Sequence, residues 1–310
     1  MDEKTIIAGT YTDSGSKGIY RFTLKDGKLS KPELFAEADS PKYLAVSNRL
    51  TASIGRFAGA CGAGIYDEDG KLLAQKTFET RTSCWIGWHD GAVYTANYHL
   101  GTVTKLSWDG ENLNVVKTAE IQEKAGCHQV LFHNGQLLVP CLFLNRILIF
   151  DEDLNYQGAV IFPDGTGPRH GVFSADGSAL YLVSELSNEL FVLDPVDWGV
   201  RTVLPVLPSG ETHVRGTAAV RLSGDGTILY VSTRGQDLVS VIDLQKNRVI
   251  QGAYSGGRHP RDFILTDRHI LCANRYSDTV VCFEVRDDGT IGFETDRITI
   301  PQAVSLAVQK

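Results

Sequence analysis

The sequence predicts an all-β chain folded as a seven-bladed β-propeller. An apolar strand that begins after a small or proline residue recurs seven times along the chain, and turn dipeptides follow it at matching offsets. A period in the forties built only from strand signals is typical of propellers, in which each repeat forms one four-stranded blade. The start positions lie 41 to 49 residues apart, at Pro41, Ser83, Cys127, Pro168, Thr217, Pro260 and Pro301.

The individual strands and turns follow the pattern expected of blades. Each repeat opens with a nearly continuous apolar run, which suits inner strands that are covered on both faces. Asn-Gly and Asp-Gly dipeptides supply the positive φ angles of tight hairpin turns. Those after the first strands are Asp90-Gly91, Asn134-Gly135, Asp176-Gly177 and Asp225-Gly226, and those at the outer hairpins are Asp26-Gly27, Asp69-Gly70, Asp109-Gly110 and Asp288-Gly289. No window has a helical period, and the regular spacing disfavours the alternative of a sandwich or open barrel.

The two ends of the chain carry incomplete repeats. Residues 5–9 have the pattern of a second strand without a first, and residues 303–308 that of a first strand without the rest. Pairing these segments would close the ring with one composite blade and remove an exposed sheet edge. We therefore predict seven blades in a single domain that spans residues 1–310.

Composition restricts the possible partners. Thirty Lys and Arg residues stand against 37 Asp and Glu, and the net charge of −7 gives no reason to expect binding to nucleic acid or an anionic membrane. No Cys-x-x-Cys pair and no Cys/His pair with ligand spacing is present, so we expect reduced thiols, no metal site and no cofactor. The six cysteines are Cys61, Cys84, Cys127, Cys141, Cys272 and Cys282.

Nothing in the sequence suggests membrane insertion or export. The apolar runs are shorter than the roughly 20 residues that span a bilayer. The first four residues pass directly into a strand, without the apolar stretch of a secretory signal. We expect a soluble, cytoplasmic chain that is a monomer or a weak homodimer.

The propeller topology gathers polar residues at one mouth of the central channel. In a four-stranded blade the innermost strand begins on one face of the disk, and the second strand returns to that face. The residues just inside the first strands are Lys42, Cys84, His128, Arg169, Ala218, Arg261 and Gln302. The second strands end at Tyr98, Leu142, Glu185, Arg234 and Arg275, with Tyr11 and Arg56 less regularly placed, and with Asn97, Arg146 and His170 nearby in sequence.

This rim carries chemistry suited to an anionic ligand. Guanidinium groups bind carboxylate or phosphate through paired hydrogen bonds, so a rim with several arginines predicts a small anionic ligand. Histidine and glutamate among them offer proton transfer near neutral pH. The alternative is that these charges line a wet channel and neutralise one another.

Several stretches resemble the seven-bladed lactonase family, which includes bacterial 6-phosphogluconolactonases of the propeller type and fungal carboxy-cis,cis-muconate cyclases. The most specific match is Gly167-Pro168-Arg169-His170, followed downstream by Glu185-Leu186. The resemblance covers essentially the whole chain. The other matching stretches lie at residues 9–12, 126–128, 139–146, 233–234 and 260–263.

The resemblance implies a metal-independent lactone hydrolase of the 6-phosphogluconolactonase type, acting in the oxidative pentose phosphate route on an anionic lactone. Carried over to this sequence, the family's proposed site falls on His128, Glu185, Arg169 and Arg234. We expect the substrate to be bound by Arg275, Arg261, Arg146, His170 and Asn97. Arg275 stands where many members have glutamine, and Ser184 where many have asparagine, so the extra arginine could strengthen phosphate binding or redirect the substrate.

A lactonase must activate water and release the ring oxygen. Either Glu185 or His128 would take the proton from water, and the other would assist the leaving alkoxide. Arg169 and Arg234 would stabilise the oxyanion. Two alternatives keep the fold: the pocket could serve another sugar-acid lactone or a muconate-type diacid, or the propeller could be a non-enzymatic binding scaffold.

Overall fold

Seven antiparallel sheets, the blades, form a ring around a central channel. The computed structural model describes residues 3–309, so the outermost residues of the predicted 1–310 domain lie outside this range. The first four strands are Lys4–Thr10 (β1), Gly18–Lys25 (β2), Lys28–Leu29 (β3) and Glu33–Glu37 (β4). Blade 1 is built from Leu44–Ser47 (β5), Leu50–Phe57 (β6), Ala60–Tyr66 (β7) and Leu72–Glu79 (β8).

The next three blades repeat this arrangement of four sequential strands. Blade 2 contains Trp85–His89 (β9), Ala92–Asn97 (β10), Thr102–Trp108 (β11) and Leu113–Glu120 (β12). Blade 3 contains Leu131–His133 (β13), Gln136–Cys141 (β14), Arg146–Asp151 (β15) and Tyr156–Ile161 (β16). Blade 4 contains Pro168–Phe173 (β17), Leu180–Ser184 (β18), Glu189–Leu193 (β19) and Val200–Pro205 (β20).

Two further blades and one last strand complete the chain. Blade 5 contains Thr217–Leu222 (β21), Ile228–Thr233 (β22), Leu238–Asp243 (β23) and Arg248–Tyr254 (β24). Blade 6 contains Pro260–Leu265 (β25), His269–Asn274 (β26), Thr279–Val285 (β27) and Ile291–Thr299 (β28). The last strand is Ala303–Gln309 (β29), and two 3₁₀ turns occur at Leu142–Leu144 and Arg275–Ser277.

The seventh blade joins the two ends of the chain, as the sequence predicts. β29 is its innermost strand and pairs antiparallel with β1, which in turn pairs with β2. The ladder between β1 and β29 runs from Thr5 opposite Gln309 to Thr10 opposite Ala303. Because this pairing supplies the partner that each terminal strand lacks, the ring closes without a free inner edge.

The first strands of blades 4, 5, 6 and the closing blade each contain a bulge at the channel mouth, and two of these bulges carry an arginine of the rim. In blade 4, Pro168 pairs with Ser184 and His170 with Val183, so Arg169 has no partner in the ladder. In blade 6 the same skip leaves Arg261 unpaired between Pro260 and Asp262. A bulge redirects the side chain of the extra residue.

The hydrophobic core lies mainly between neighbouring blades. One cluster joins blades 1 and 2 through Ile54, Ile65, Ile86 and Leu106, each at most 1% exposed. Burying each such side chain contributes roughly 1.5–3 kcal/mol. Within residues 3–309 no helix is long and apolar enough to cross a membrane.

Candidate active site

A cavity of about 220 Å³ lies on the face of the ring where the first strands begin and the second strands end. The side chains that line it lie near the start of a first strand or the end of a second strand, so all seven blades contribute to one site. The lining residues are Tyr11, Lys42, Cys84, Tyr98, His99, His128, Glu185, Arg234 and Arg261.

The cavity brings together most of the residues predicted from the sequence. His128, Glu185, Arg234 and Arg261 line it directly. Arg169 lies beneath Glu185 and bonds to it. Two residues border the cavity through a neighbour that lines it: Arg275 lies over the ring of Tyr11, and His170 contacts His128.

Glu185 is held by two arginines from different blades. Its Oε2 atom accepts a hydrogen bond from Arg169 Nε at 2.9 Å and lies 2.7 Å from Arg234 Nη2. Burial by itself would raise the pKa of Glu185, but the positive charges of Arg234 and Arg169 outweigh burial, and the net shift is downward. Glu185 is therefore a carboxylate anion at neutral pH.

Arg169 is the most deeply placed charge of the site. Its side chain is 2% exposed, and its second hydrogen bond goes from Nη1 to the carbonyl oxygen of Ala218 in blade 5. Burial, with a smaller effect from Arg234, lowers the pKa of Arg169 to about 10, so the guanidinium stays charged at neutral pH. The bulge in β17 is what turns this side chain inward towards the channel.

His128 and His170 form a buried imidazole pair. His128 Nδ1 lies 3.1 Å from His170 Nε2, so one nitrogen donates and the other accepts. Burial, followed by the positive charge of Arg169, brings the pKa of both rings well below the ordinary value for histidine. Both imidazoles are therefore neutral at pH 7, and His128 can accept a proton.

Positive charge is in excess around the cavity. Lys42, Arg169, Arg234 and Arg261 are opposed by the single carboxylate of Glu185 among the residues that line the cavity or bond to its lining. Lys42 is 8% exposed, and the one hydrogen bond of its ammonium group within residues 3–309 is a long one to Thr82 O, at 3.5 Å. Burial lowers the pKa of Lys42, and nearby Tyr11 partly offsets this effect. An anionic ligand would balance this excess.

Cys84 forms part of the cavity wall but is not a nucleophile. Its thiol donates a hydrogen bond to the carbonyl oxygen of Cys127 at 3.2 Å. Burial raises the pKa of Cys84 to about 11, so the reactive thiolate is scarcely populated at neutral pH.

Three residues expected at or near the rim lie elsewhere. The Asn97 side chain donates to Arg81 O and accepts from the backbone amides of His99 and Leu100, so it holds a turn. Arg146 begins the third strand of blade 3 and is exposed, outside the cavity lining. Arg56 lies in a neighbouring surface groove beside Asp39, 3.7 Å away.

Several residues that line the cavity had no predicted role. Lys42, Tyr11, Cys84 and Tyr98 stand on the predicted rim, but no chemistry was assigned to them. His99 was missed altogether, although it follows Tyr98 at the end of a second strand, and this position was the available signal.

The opposite face of the ring has a different character. A groove of about 850 Å³ there is lined by hairpin-turn residues that include Asp225, Asp267 and Asp288. Its lining also includes Lys4, Arg268 and Arg286, but aspartates outnumber these cations, so the groove attracts an anion less than the smaller cavity does.

Comparisons with known proteins agree with this architecture. The family model for lactonases with a seven-bladed β-propeller matches residues 5–308. A Bacillus subtilis protein named 6-phosphogluconolactonase is 31% identical, over 96% of this chain and 94% of that protein.

Solved structures show the same fold. A Lactobacillus plantarum protein superposes with a TM-score of 0.92 at 26% identity, covering all of both chains. A Pseudomonas aeruginosa periplasmic gluconolactonase superposes with a TM-score of 0.89 at 23% identity, covering 100% of this chain and 99% of that one. The family match extends over nearly the whole chain, and the protein therefore belongs to the seven-bladed β-propeller lactonases, a family of lactone hydrolases.

Proposed function

We propose that the protein is a 6-phosphogluconolactonase, which hydrolyses 6-phosphoglucono-1,5-lactone to 6-phosphogluconate. The observation that carries this proposal is the surplus of buried cations around one ion-paired carboxylate and one neutral imidazole. A neutral lactone would leave that surplus unbalanced, whereas a phosphorylated lactone supplies the missing negative charge. The Bacillus subtilis relative that carries this name supports the same substrate.

His128 is the proposed base. As a neutral imidazole it can take a proton from water while the water oxygen attacks the lactone carbonyl. Arg234 lines the cavity and would donate to the oxyanion of the tetrahedral intermediate, an effect worth roughly 3 kcal/mol per donor. Arg169 would add its positive charge from beneath Glu185. Glu185 then holds both guanidinium groups in place rather than acting as the base.

Lys42 and Arg261 are the proposed phosphate ligands. Neither cation has an ion-pair partner within residues 3–309, and both line the cavity beside the catalytic set. A charge-assisted hydrogen bond is worth about 1.5–3 kcal/mol, so each contact can change affinity by roughly 10- to 100-fold.

The test is hydrolysis of freshly prepared 6-phosphoglucono-1,5-lactone, followed by a coupled dehydrogenase that oxidises the product, with the spontaneous rate subtracted. Glucono-1,5-lactone without phosphate is the comparison substrate, followed with a pH indicator. We expect rapid turnover of the phosphorylated lactone and a clearly lower kcat/KM for the unphosphorylated one. Equal kcat/KM values for the two lactones would indicate that another sugar-acid lactone is the substrate. If neither lactone is hydrolysed, the proposal is wrong.

Two variants test the assigned roles. His128→Ala should lose at least roughly 10²-fold in kcat, and added imidazole should restore part of the loss. Arg261→Gln should raise KM for the phosphorylated lactone about 10-fold or more and leave KM for glucono-1,5-lactone nearly unchanged. Arg248→Gln on the exposed outer strand of blade 5 is the matched control. An Arg261→Gln variant that weakens both substrates equally would contradict the phosphate role.

We also propose that the protein acts in the cytoplasm, in the oxidative pentose phosphate route. All six cysteines are buried and unpaired, which suits a reducing compartment. The sulfur atoms of Cys127 and Cys141 lie 3.7 Å apart and are not bonded to each other, which supports a reducing compartment.

A further inference from the structure

Lactone hydrolysis as proposed above needs a proton donor for the ring oxygen, and in the free protein neither His128 nor Glu185 is in its acidic form. Glu185 is ionised by its two arginines, and His128 is a neutral imidazole in the free protein. The ring oxygen can take its proton either from the imidazolium that forms on His128 or from a separate donor of the cavity. A separate donor leaves His128 free to serve the attacking water alone.

Tyr11 lies in the same cavity, between three cations, of which Arg261 and Arg275 come from blade 6 and Lys42 precedes blade 1. It directly follows β1 in the closing blade. Arg275 Cζ lies 3.8 Å from the centre of its ring, Arg261 Cζ 5.6 Å and Lys42 Nζ 5.7 Å. Cation–π contacts at these distances fix the plane of the ring.

Arg275 is itself held in position. Its Nε donates to Gln302 Oε1 at 3.0 Å, and its Nη2 lies 3.8 Å from Asp13 Oδ2. Gln302 Nε2 in turn donates to Asp13 Oδ1 at 2.7 Å. Arg275, which packs over the ring of Tyr11, is therefore fixed by a connected network of hydrogen bonds and an ion pair.

The hydroxyl group of Tyr11 is available to a ligand. Within residues 3–309 it has no hydrogen-bond partner, whereas the hydroxyl of Tyr230 donates to Gly289 O at 2.7 Å. A phenol that lines a small polar cavity without an internal partner is placed to donate to whatever occupies that cavity.

The charges that face Tyr11 favour loss of its proton. Burial would raise the pKa of Tyr11, but Arg261, Lys42 and Arg275 outweigh burial, and the net shift is downward. Cys84 also faces the ring, but its raised pKa keeps it a neutral thiol at pH 7. By contrast, the pKa of Tyr98 in the same cavity is raised by burial.

We propose that Tyr11 is the general acid of the reaction and donates its phenolic proton to the ring oxygen as the ring carbon–oxygen bond breaks. Water forms the new bond to the carbonyl carbon and gives one proton to His128. The leaving oxygen takes the proton of Tyr11 and becomes the hydroxyl of the product. The proton on His128 then returns through solvent to the phenolate, so both groups recover their starting state.

The first experiment compares wild type with Tyr11→Phe on 6-phosphoglucono-1,5-lactone and on its ring-sulfur analogue, the thiolactone. A thiolate leaves without protonation, so the variant should lose roughly 10²-fold or more in kcat on the lactone and far less on the thiolactone. KM should change little on either substrate. Tyr156→Phe, an exposed tyrosine on the outer strand of blade 3, is the matched control.

A second experiment keeps the proposal testable if Tyr11→Phe fails to fold. The kcat of wild type should fall at alkaline pH as Tyr11 loses its proton. Arg275→Gln removes the nearest cation, so the pKa of Tyr11 rises and this alkaline decrease should move to higher pH. Near-ultraviolet difference titration of tyrosinate, wild type minus Arg275→Gln, follows the pKa of Tyr11 without any substrate and without the Tyr11→Phe variant.

The outcomes separate this role from the proposed function, on which it rests. If wild type turns over lactones while Tyr11→Phe loses equally on lactone and thiolactone, or loses nothing, Tyr11 is not the acid and the function stands. An unmoved alkaline decrease in Arg275→Gln, or a titrated Tyr11 pKa at or above that of free tyrosine, also overturns the role. Absence of lactonase activity in wild type removes both.

Discussion

The charge balance of the cavity depends on Glu185. Replacing it by Gln keeps the shape but removes the negative charge that orients Arg169 and Arg234. We expect kcat to fall by roughly 10²- to 10³-fold, because the oxyanion donors lose their fixed position. The free energy of unfolding should also fall, by up to about 3–5 kcal/mol, since Arg169 keeps its hydrogen bond to Ala218 O but is left buried without an opposite charge.

Steady-state kinetics and urea unfolding of the same preparation check both effects. Glu189→Gln is the matched control, because Glu189 begins the third strand of the same blade outside the cavity. It should match wild type in both measurements. A Glu185→Gln variant with wild-type kcat would remove this carboxylate from the site.

The sequence predicted which residues lie near the channel mouth better than it predicted which of their side chains reach the cavity. His128, Glu185, Arg234 and Arg261 reach the cavity because the blade period places each at the start or end of an inner strand. Asn97 also ends a second strand, but its side-chain amide is already hydrogen-bonded to Arg81 O and to the backbone amide of His99. The spacing of the repeats cannot reveal such local hydrogen bonds of a side chain.

The closing blade depends on tight contact between its strands and the loop before blade 1. A Cβ atom at Gly9 in β1 would lie 2.4 Å from Pro41 O and 2.4 Å from Ser305 Oγ of β29. Gly9→Ala should therefore lower the free energy of unfolding by about 1–3 kcal/mol, since either the loop or the last strand must shift.

Urea denaturation followed by circular dichroism measures this change. Gly224→Ala serves as the control, because a Cβ atom there has no heavy atom within 4 Å and the backbone has no left-handed strain. The control should unfold within about 0.5 kcal/mol of wild type. Equal stability of the two variants would mean that the closing blade tolerates displacement.

The sequence predicted the number and order of the strands correctly, but it did not predict the bulges or the split outer strand. The repeat predicted seven inner strands and the pairing of the two chain ends, since periodicity counts blades directly. It gave no sign of the bulges that release Arg169 and Arg261 from their ladders. Nor did it indicate that the outer strand of the closing blade is split into β3 and β4, both paired with β2.

The whole molecule should be sensitive to mild acid. Five histidines have a pKa below the ordinary value, chiefly because burial disfavours their charged form, with His128 and His170 the most deeply buried. Below about pH 6.5 the unfolded chain therefore binds more protons than the folded one, and stability falls as pH falls. Each fully buried histidine contributes about 1.4 kcal/mol per pH unit well below that value.

Urea midpoints between pH 7 and pH 5 measure the slope, in a window above the titration of most carboxylates. His170→Gln should reduce the pH dependence by about 1.4 kcal/mol per unit relative to wild type. A flat wild-type profile over this range would show that the buried pair takes up protons in the folded state.

Closure of the ring also determines when the protein can become active. Tyr11 and Gln302 come from opposite ends of the chain, and both contact Arg275. During translation the six complete blades can form while the C-terminal strand is still inside the ribosome. The cavity can form only after residues 302–309 have emerged, so a chain truncated before Gln302 would keep its six complete blades yet lack a finished site.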